Sequence, residues 1–191
     1  MLPSNKKKIP QYYVSTHDVY QIESNNLVKL GHFNDLKEDT SFKFPHICKV
    51  FLAADCYKIF ISPAEVLYSP KRFQQQVEQR FKLCFPHLNV AQYYCFYNKP
   101  RFESPYLAVA IEKDWYNNFI NIFKFKSLDY IEILPLASFI YFQKSHKNNF
   151  CFKEPSLETH FIHVDGQLHQ VIQKNKNMNE ASHFHLLEKD I

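Results

Sequence analysis

Residues 106–142 read YLAVAIEKDWYNNFINIFKFKSLDYIEILPLASFIYF, and this stretch decides the fold. Tyr106 to Ile111 is continuously apolar, the pattern of a central strand covered on both faces. Lys113 to Lys124 carries Trp115, Phe119, Ile122 and Phe123 at helical spacing. Asp114 near the start of that helix, with Lys124 and Lys126 near its end, complements the helix dipole. Tyr130 to Leu134 predicts a strand, and Pro135 to Gln143 a short helix opened by proline. Strand and helix alternating in one run predict helices layered on a sheet.

Outward toward the N-terminus, Cys48–Ala53 and Tyr57–Ile61 read as strand-like pieces separated by Ala54-Asp55. They either pair or form one bent strand. Ser69-Pro70 starts a helix that runs to about Phe85, with Phe73, Val77, Phe81 and Cys84 on one face. Gln92 to Tyr97 is a strand and Asn98-Lys99-Pro100 a turn. The middle, residues 47–134, therefore reads β-β-α-β-β-α-β. Tyr12–Ile22 and Leu27–Phe33 predict a hairpin turning at Glu23–Asn26, and Asn34–Ser41 a loop. Residues 1–11 read as a partly disordered arm, 12–143 as the main domain and 144–157 as a linker. Residues 158–191 read as a hairpin extension, the start of a truncated second subdomain, turning at Asp165-Gly166. The fold class is α/β (α+β).

Two glycines in 191 residues exclude the usual phosphate cradles, which need glycine for close backbone approach. There is no GxGxxG, GxxxxGK[ST] or GxSxG. Hydrophobic residues at 46% and aromatics at 17% supply ample core. A net charge of +4 falls short of the footprint of a dedicated nucleic-acid binder. Five cysteines without a CxxC pair argue against a disulfide framework or a zinc ribbon, and for a reducing compartment. No apolar run approaches the ~20 residues of a membrane span, and no signal peptide is visible. The expectation is a cytoplasmic protein.

The order of elements, together with particular residues, resembles the PilM and GspL group. These are cytoplasmic, actin-like domains of type IV pilus, competence and type II secretion assembly platforms. The pattern is carried by Leu107–Ile111, Lys113, Trp115, Phe119, Ile122, Phe123, Ile131, Leu134, Pro135 and Phe139. Phe73, Val77, Glu78 and Phe81 match the preceding helix, and the likeness spans residues ~47–143. The resemblance implies a reduced actin-like, RNase H-like half with a β-α-β-β-α-β, ferredoxin-like portion. It implies docking to a bitopic inner-membrane partner and to the assembly ATPase, peripheral to the membrane through that partner. Nucleotide-binding members of the superfamily hold phosphates on glycine-containing hairpin loops. The corresponding stretches would be Ser15-Thr16-His17-Asp18, which has no glycine, and Val164-Asp165-Gly166-Gln167. A degenerate member that does not hydrolyse ATP is expected, with no cofactor, no metal and no catalytic residue.

Other candidates have plainer readings. His160, His163, His169, His183 and His185 crowd the C-terminal end, but neither cysteine spacing nor a carboxylate completes a recognised zinc or copper set, and they read as surface or hairpin histidines. His17-Asp18 reads as a solvated strand edge, Asp165-Gly166 as a turn, and Cys84 and Cys95 as packing residues. Lys6-Lys7-Lys8 reads as a solvated tail. Tyr93 to Tyr97 has apolar side chains on both faces, which suits a buried or interface strand.

A non-catalytic cytoplasmic scaffold is therefore the expected function. The alternative is a nucleic-acid-binding module with a ferredoxin-like core, whose strand aromatics would stack on bases. A metalloprotein using the C-terminal histidines is the third reading.

Overall fold

In the computed structural model of the chain, described over residues 9–24, 26–39, 45, 47–62, 70–98, 105–125, 130–143 and 148–175, eleven strands and four helices follow one another. They are β1 (Gln11–Val14), β2 (Asp18–Glu23), β3 (Asn26–His32), α1 (Phe33–Glu38), β4 (Ile47–Leu52), β5 (Lys58–Ser62), α2 (Pro70–Cys84), β6 (Tyr93–Tyr97), β7 (Tyr106–Glu112), α3 (Lys113–Phe125), β8 (Tyr130–Pro135), α4 (Leu136–Gln143), β9 (Phe150–Lys153), β10 (Leu157–Val164) and β11 (Gln167–Asn175).

The main sheet has the order β3-β2-β1-β4-β8. Its first three strands are an antiparallel meander, and β1, β4 and β8 run parallel. Residues 12–22, expected as one strand, are two. Ser15 closes the turn between them, its Oγ accepting from the amides of His17 (3.3 Å) and Asp18 (2.9 Å). That side-chain capture of backbone N–H is the mechanism by which serine favours turns over strands. The β2–β3 turn at Glu23–Asn26 lies where expected. Gly31 sits beside the register shift in this hairpin, where a Cβ would stand 3.4 Å from Leu36.

The stretch expected as a loop after β3 is α1. Its Phe33 and Leu36, three apart, are both buried, and Phe33 stacks on Trp115 of α3 at 5.6 Å. Tertiary burial overrides the weak helix propensity of Asn34 and Asp35.

The pieces 48–53 and 57–61 neither pair nor form one strand. The three-residue 3-10 turn Ala54–Cys56 sends β4 into the main sheet and β5 into a second one, of order β5-β7-β6. This second sheet has the strand arrangement of a ferredoxin-like layer without its last strand, because β8 pairs with β4 instead. β7 is buried on both faces, as its continuous apolar run predicts. Tyr106, Ala108 and Ala110 pack under α2 with Phe73, Val77 and Phe81, while Leu107, Val109 and Ile111 join the main core. Across the register Phe60 lies opposite the small Ala108, and the small residues Cys95 and Ala110 lie opposite each other. Cys84, expected on the packed face of α2, is exposed at its last residue.

The third sheet is the meander β11-β10-β9. Strand β9 lies within the stretch expected to be linker. Phe161 of β10 and Leu168 of β11 are buried in the same cluster as Val14 of β1 and Leu52 of β4, so the meander shares the main core. Tyr141 of α4 stacks on Phe161 at 5.1 Å and Phe150 stacks on Phe161 at 4.6 Å. Among the described residues no helix is long and apolar enough to cross a membrane.

Candidate partner-docking groove

The first turn expected to face a phosphate uses its amides internally. Ser15 N–H donates to the Asp18 carbonyl at 2.9 Å, and Thr16 N–H and Oγ1 donate to Asp55 Oδ2 at 3.3 and 2.9 Å. The His17 and Asp18 amides are held by Ser15 Oγ. A phosphate cradle requires such groups aimed outward at the anion; here four consecutive amides are aimed at the chain's own oxygens. Asp18 contacts Lys29 Nζ (2.8 Å) and His32 Nδ1 (2.7 Å), and the hydrogen bond from Lys29 holds its carboxyl below the ordinary value. The His17 side chain is exposed.

The second expected loop, Asp165-Gly166, is a tight turn with φ of 52° and 73°, the two positive values of a type I′ hairpin. A Cβ added at Gly166 would meet nothing within 4 Å, so this turn stands clear of the rest of the chain. The turn that reaches the first hairpin is instead the one between β9 and β10. There Glu154 is only 1% exposed, and its Oε1 accepts from Tyr13 OH at 3.2 Å and Ala54 N–H at 3.0 Å. Burial pushes this carboxyl up to about 8; the two hydrogen bonds oppose the shift and Asp55 adds to it. Beside it Tyr57 OH accepts from Ala137 N–H at 2.9 Å, tying the 3-10 turn to the start of α4. Sequence reading passed over Glu154, whose only local signal is a turn-forming Glu-Pro between two β-rich runs.

The remaining candidates are dispersed. His163 stacks on Tyr141 at 6.1 Å, His169 lines a cleft between β5 and β11, and His160 lies beside Cys151 and Glu158. His183, His185 and Lys6–Lys8 lie outside the described residues. Cys95 is buried, and burial raises its thiol to about 11, which suits packing rather than nucleophilic attack.

The cleft between β5 and β11 measures about 550 Å³ and is rimmed by Lys58, Arg80, His87 and His169. A second cleft, of about 290 Å³, is apolar. Leu107 and Val109 of β7 and Phe96 of β6 form one wall, and Leu134, Phe139 and Phe142 at the end of β8 and along α4 form the other. Asn98 and Ser138 are its polar groups. Phe96 and Phe142 stand at the rim, 40% and 52% exposed. Next to Phe96, Tyr94 and Tyr116 continue the aromatic surface, and Lys113 Nζ lies 5.3 Å from the Tyr94 ring centroid. The aromatic strand Tyr93–Tyr97 thus keeps Cys95 buried beneath α2 and turns Tyr94 and Phe96 outward. Sequence reading identified β6 as a strand suited to an interface and left the opposite wall unassigned.

A five-stranded sheet with the meander β3-β2-β1 followed by parallel β4 and β8, helices packed on it and a further meander at the C-terminal end, defines half of an actin-like fold, with β5 to α3 inserted as a second layer. Known structures bear this out. The cytoplasmic domain of EpsL, an inner-membrane component of the type II secretion system of Vibrio cholerae, superposes with a TM-score of 0.52 at 13% identity, over 87% of this chain and 71% of that one. The PilM–PilN type IV pilus biogenesis complex gives 0.54 at 8% identity, over 89% of this chain and 62% of that one. A Bacteroides thetaiotaomicron protein with an actin-like ATPase fold and unknown function gives 0.50 at 15% identity, covering 92% and 74%. No family model matches the sequence, and no curated protein does.

Proposed function

We propose that this chain is a non-catalytic docking scaffold of a pilus, DNA-uptake or secretion assembly platform. It works in the cytoplasm, held at the inner membrane by a bitopic partner whose cytoplasmic tail lies in the β6–β7/α4 groove, and it passes contact on to an assembly ATPase. The observation that carries the reading is the groove itself: an apolar cleft with an aromatic rim, built from two layers. Interfaces favour such aromatic, charge-depleted surface. Strand β6 ends its three-stranded sheet, so an extended tail can add alongside it and drop alternate side chains between Phe96 and Phe142. Two known structures of this fold, one an inner-membrane secretion component and one a pilus biogenesis complex, support the setting. The internally committed amides of Ser15–Asp18 support a scaffold that works without nucleotide hydrolysis.

The test is purification of the chain from its own cells in mild detergent, followed by binding of synthetic tails of the bitopic inner-membrane proteins recovered. Phe142→Asp and Phe96→Asp place charge at the rim without touching the core, and each should weaken tail binding at least tenfold. Tails that bind the variants as tightly as the unaltered chain would remove the groove from the reading. Recovery of nucleic acid lost on raising salt would replace it with the nucleic-acid module.

A further inference from the structure

The third sheet brings together three ligand-type side chains that are apart in sequence. Cys151 on β9 lies directly opposite His160 on β10, and Glu158 follows two residues before His160, on the same face of the strand. Cys151 Sγ stands 3.7 Å from His160 Nε2, and His160 Nε2 stands 3.4 Å from Glu158 Oε2. All three ligand atoms lie within 4.8 Å of one another.

We propose that Cys151, Glu158 and His160 form a three-ligand site for zinc or a similar divalent transition ion across the β9–β10 pair of the C-terminal meander. The donor set is borderline-soft: thiolate and imidazole select such ions over magnesium or calcium, and a carboxylate completes a neutral site. The spacing fits. With bonds of about 2.3 Å to sulfur and about 2.0–2.1 Å to nitrogen and oxygen, tetrahedral zinc sets its sulfur and nitrogen ligands about 3.6 Å apart and its nitrogen and oxygen ligands about 3.3 Å apart. The observed 3.7 and 3.4 Å need only small rotations. Lys153, paired across the strands with Glu158, holds Oε1 at 3.1 Å and leaves Oε2 turned toward His160, the orienting role outer partners take around metal ligands. On binding, the S–H bond of Cys151 breaks as the sulfur–metal bond forms. The proton passes to solvent, and the three protein ligands each displace metal-bound water, which also passes to solvent. The fourth position remains with water, because Cys151 is exposed at the sheet edge. Sequence spacing shows only Glu158 and His160 two residues apart; Cys151 joins them through strand pairing.

Untagged protein, stripped with chelator, is titrated with Co²⁺. One equivalent should produce a thiolate-to-cobalt charge-transfer band with the visible spectrum of a tetrahedral ion, and Zn²⁺ should displace it. Cys151→Ser should abolish the band, Cys84→Ser at the other exposed cysteine should leave it, and His160→Ala or Glu158→Gln should weaken affinity at least tenfold. Far-UV circular dichroism checks that each variant is folded, and the His160 and Glu158 variants decide the matter if Cys151→Ser is not. Absence of a charge-transfer band at one equivalent, or its persistence in folded Cys151→Ser, overturns the site.

Discussion

Replacing Glu154 by glutamine should make the protein more stable at neutral and alkaline pH and remove a pH dependence that the unaltered chain carries. The carboxyl is 1% exposed, and burial raises it from an ordinary 4.5 to about 8. At 1.36 kcal/mol for each pH unit, that displacement corresponds to about 5 kcal/mol between the two protonation states. The unfolded chain releases this proton near pH 4.5 and the folded chain near pH 8. Between those values the folded state binds more protons than the unfolded one, so stability falls as pH rises. Below pH 4.5 the carboxyl costs nothing through this route; by pH 7 the loss is about 3 kcal/mol, and it is complete above pH 8. Glutamine cannot ionise, and its carbonyl oxygen can accept from Tyr13 OH and Ala54 N–H as Glu154 Oε1 does. Urea unfolding of both proteins at pH 5 and pH 8, followed by the fluorescence of Trp115 where it stacks on Phe33 and Phe119, measures the effect. The stability of the glutamate protein minus that of the glutamine variant should drop by roughly 3–5 kcal/mol across this range. A difference constant to within about 0.5 kcal/mol would refute the argument, since titrating groups distant from residue 154 cancel between the two.

Phe161→Ala should cost about 3–5 kcal/mol in urea unfolding while the transition stays single, because Phe161 is fully buried and contacts both the Tyr141 and Phe150 rings in the common core. Gly166→Ala should cost about 1–2 kcal/mol with no change elsewhere: φ is +73° and the added methyl meets nothing, so the whole penalty is backbone strain. Thr16→Val should cost about 1–2 kcal/mol by removing the 2.9 Å hydrogen bond to Asp55, measured as a shift in urea midpoint at constant slope.

What the sequence made legible follows the strength of the local signal. The continuous run Tyr106–Ile111, the Ser-Pro helix start at 69–70 and the Asp-Gly turn at 165–166 each have one dominant physical reading, and β7, α2 and the β10–β11 hairpin lie where those signals place them. Three misreadings share one cause. The helix Phe33–Glu38 and the parting of β4 from β5 depend on what the segment meets in space, and the turn at Ser15–His17, closed locally by Ser15 Oγ, is pinned by a contact of the same kind. Asp55 receives Thr16, Trp115 covers Phe33, and β8 takes the place beside β4. The groove was half visible: apolar side chains on both faces of Tyr93–Tyr97 flagged a buried or interface strand, but no local pattern could announce that Phe139 and Phe142, some forty residues on, would form its other wall. Glu154 and the Cys151–Glu158–His160 cluster were hidden for the same reason: tertiary contact with Tyr13 and Ala54 assembles the first, and the pairing of β9 with β10 brings Cys151 to the second.

The scarcity of glycine and the location of the groove belong to one physical account. A phosphate-binding hairpin needs amides that point outward, a backbone close to the anion and no negative charge behind it. In this chain Ser15 Oγ and Asp55 take the amides of the first hairpin, and the turn that approaches it brings a second carboxyl, Glu154, which Asp55 already perturbs. Asp55 opposes a phosphate there, and Tyr13, Ala54 and Glu154, whose carboxyl keeps its proton up to about pH 8, use the space to fasten the C-terminal meander to the first sheet. The junction between the first hairpin and the C-terminal meander is thus committed to holding the fold together. The inserted layer supplies surface in exchange: diverting β8 to the main sheet leaves Leu107 and Val109 facing α4 across an apolar gap. On the proposed reading, that outer groove, and not the closed inner junction, is where a partner's tail is held.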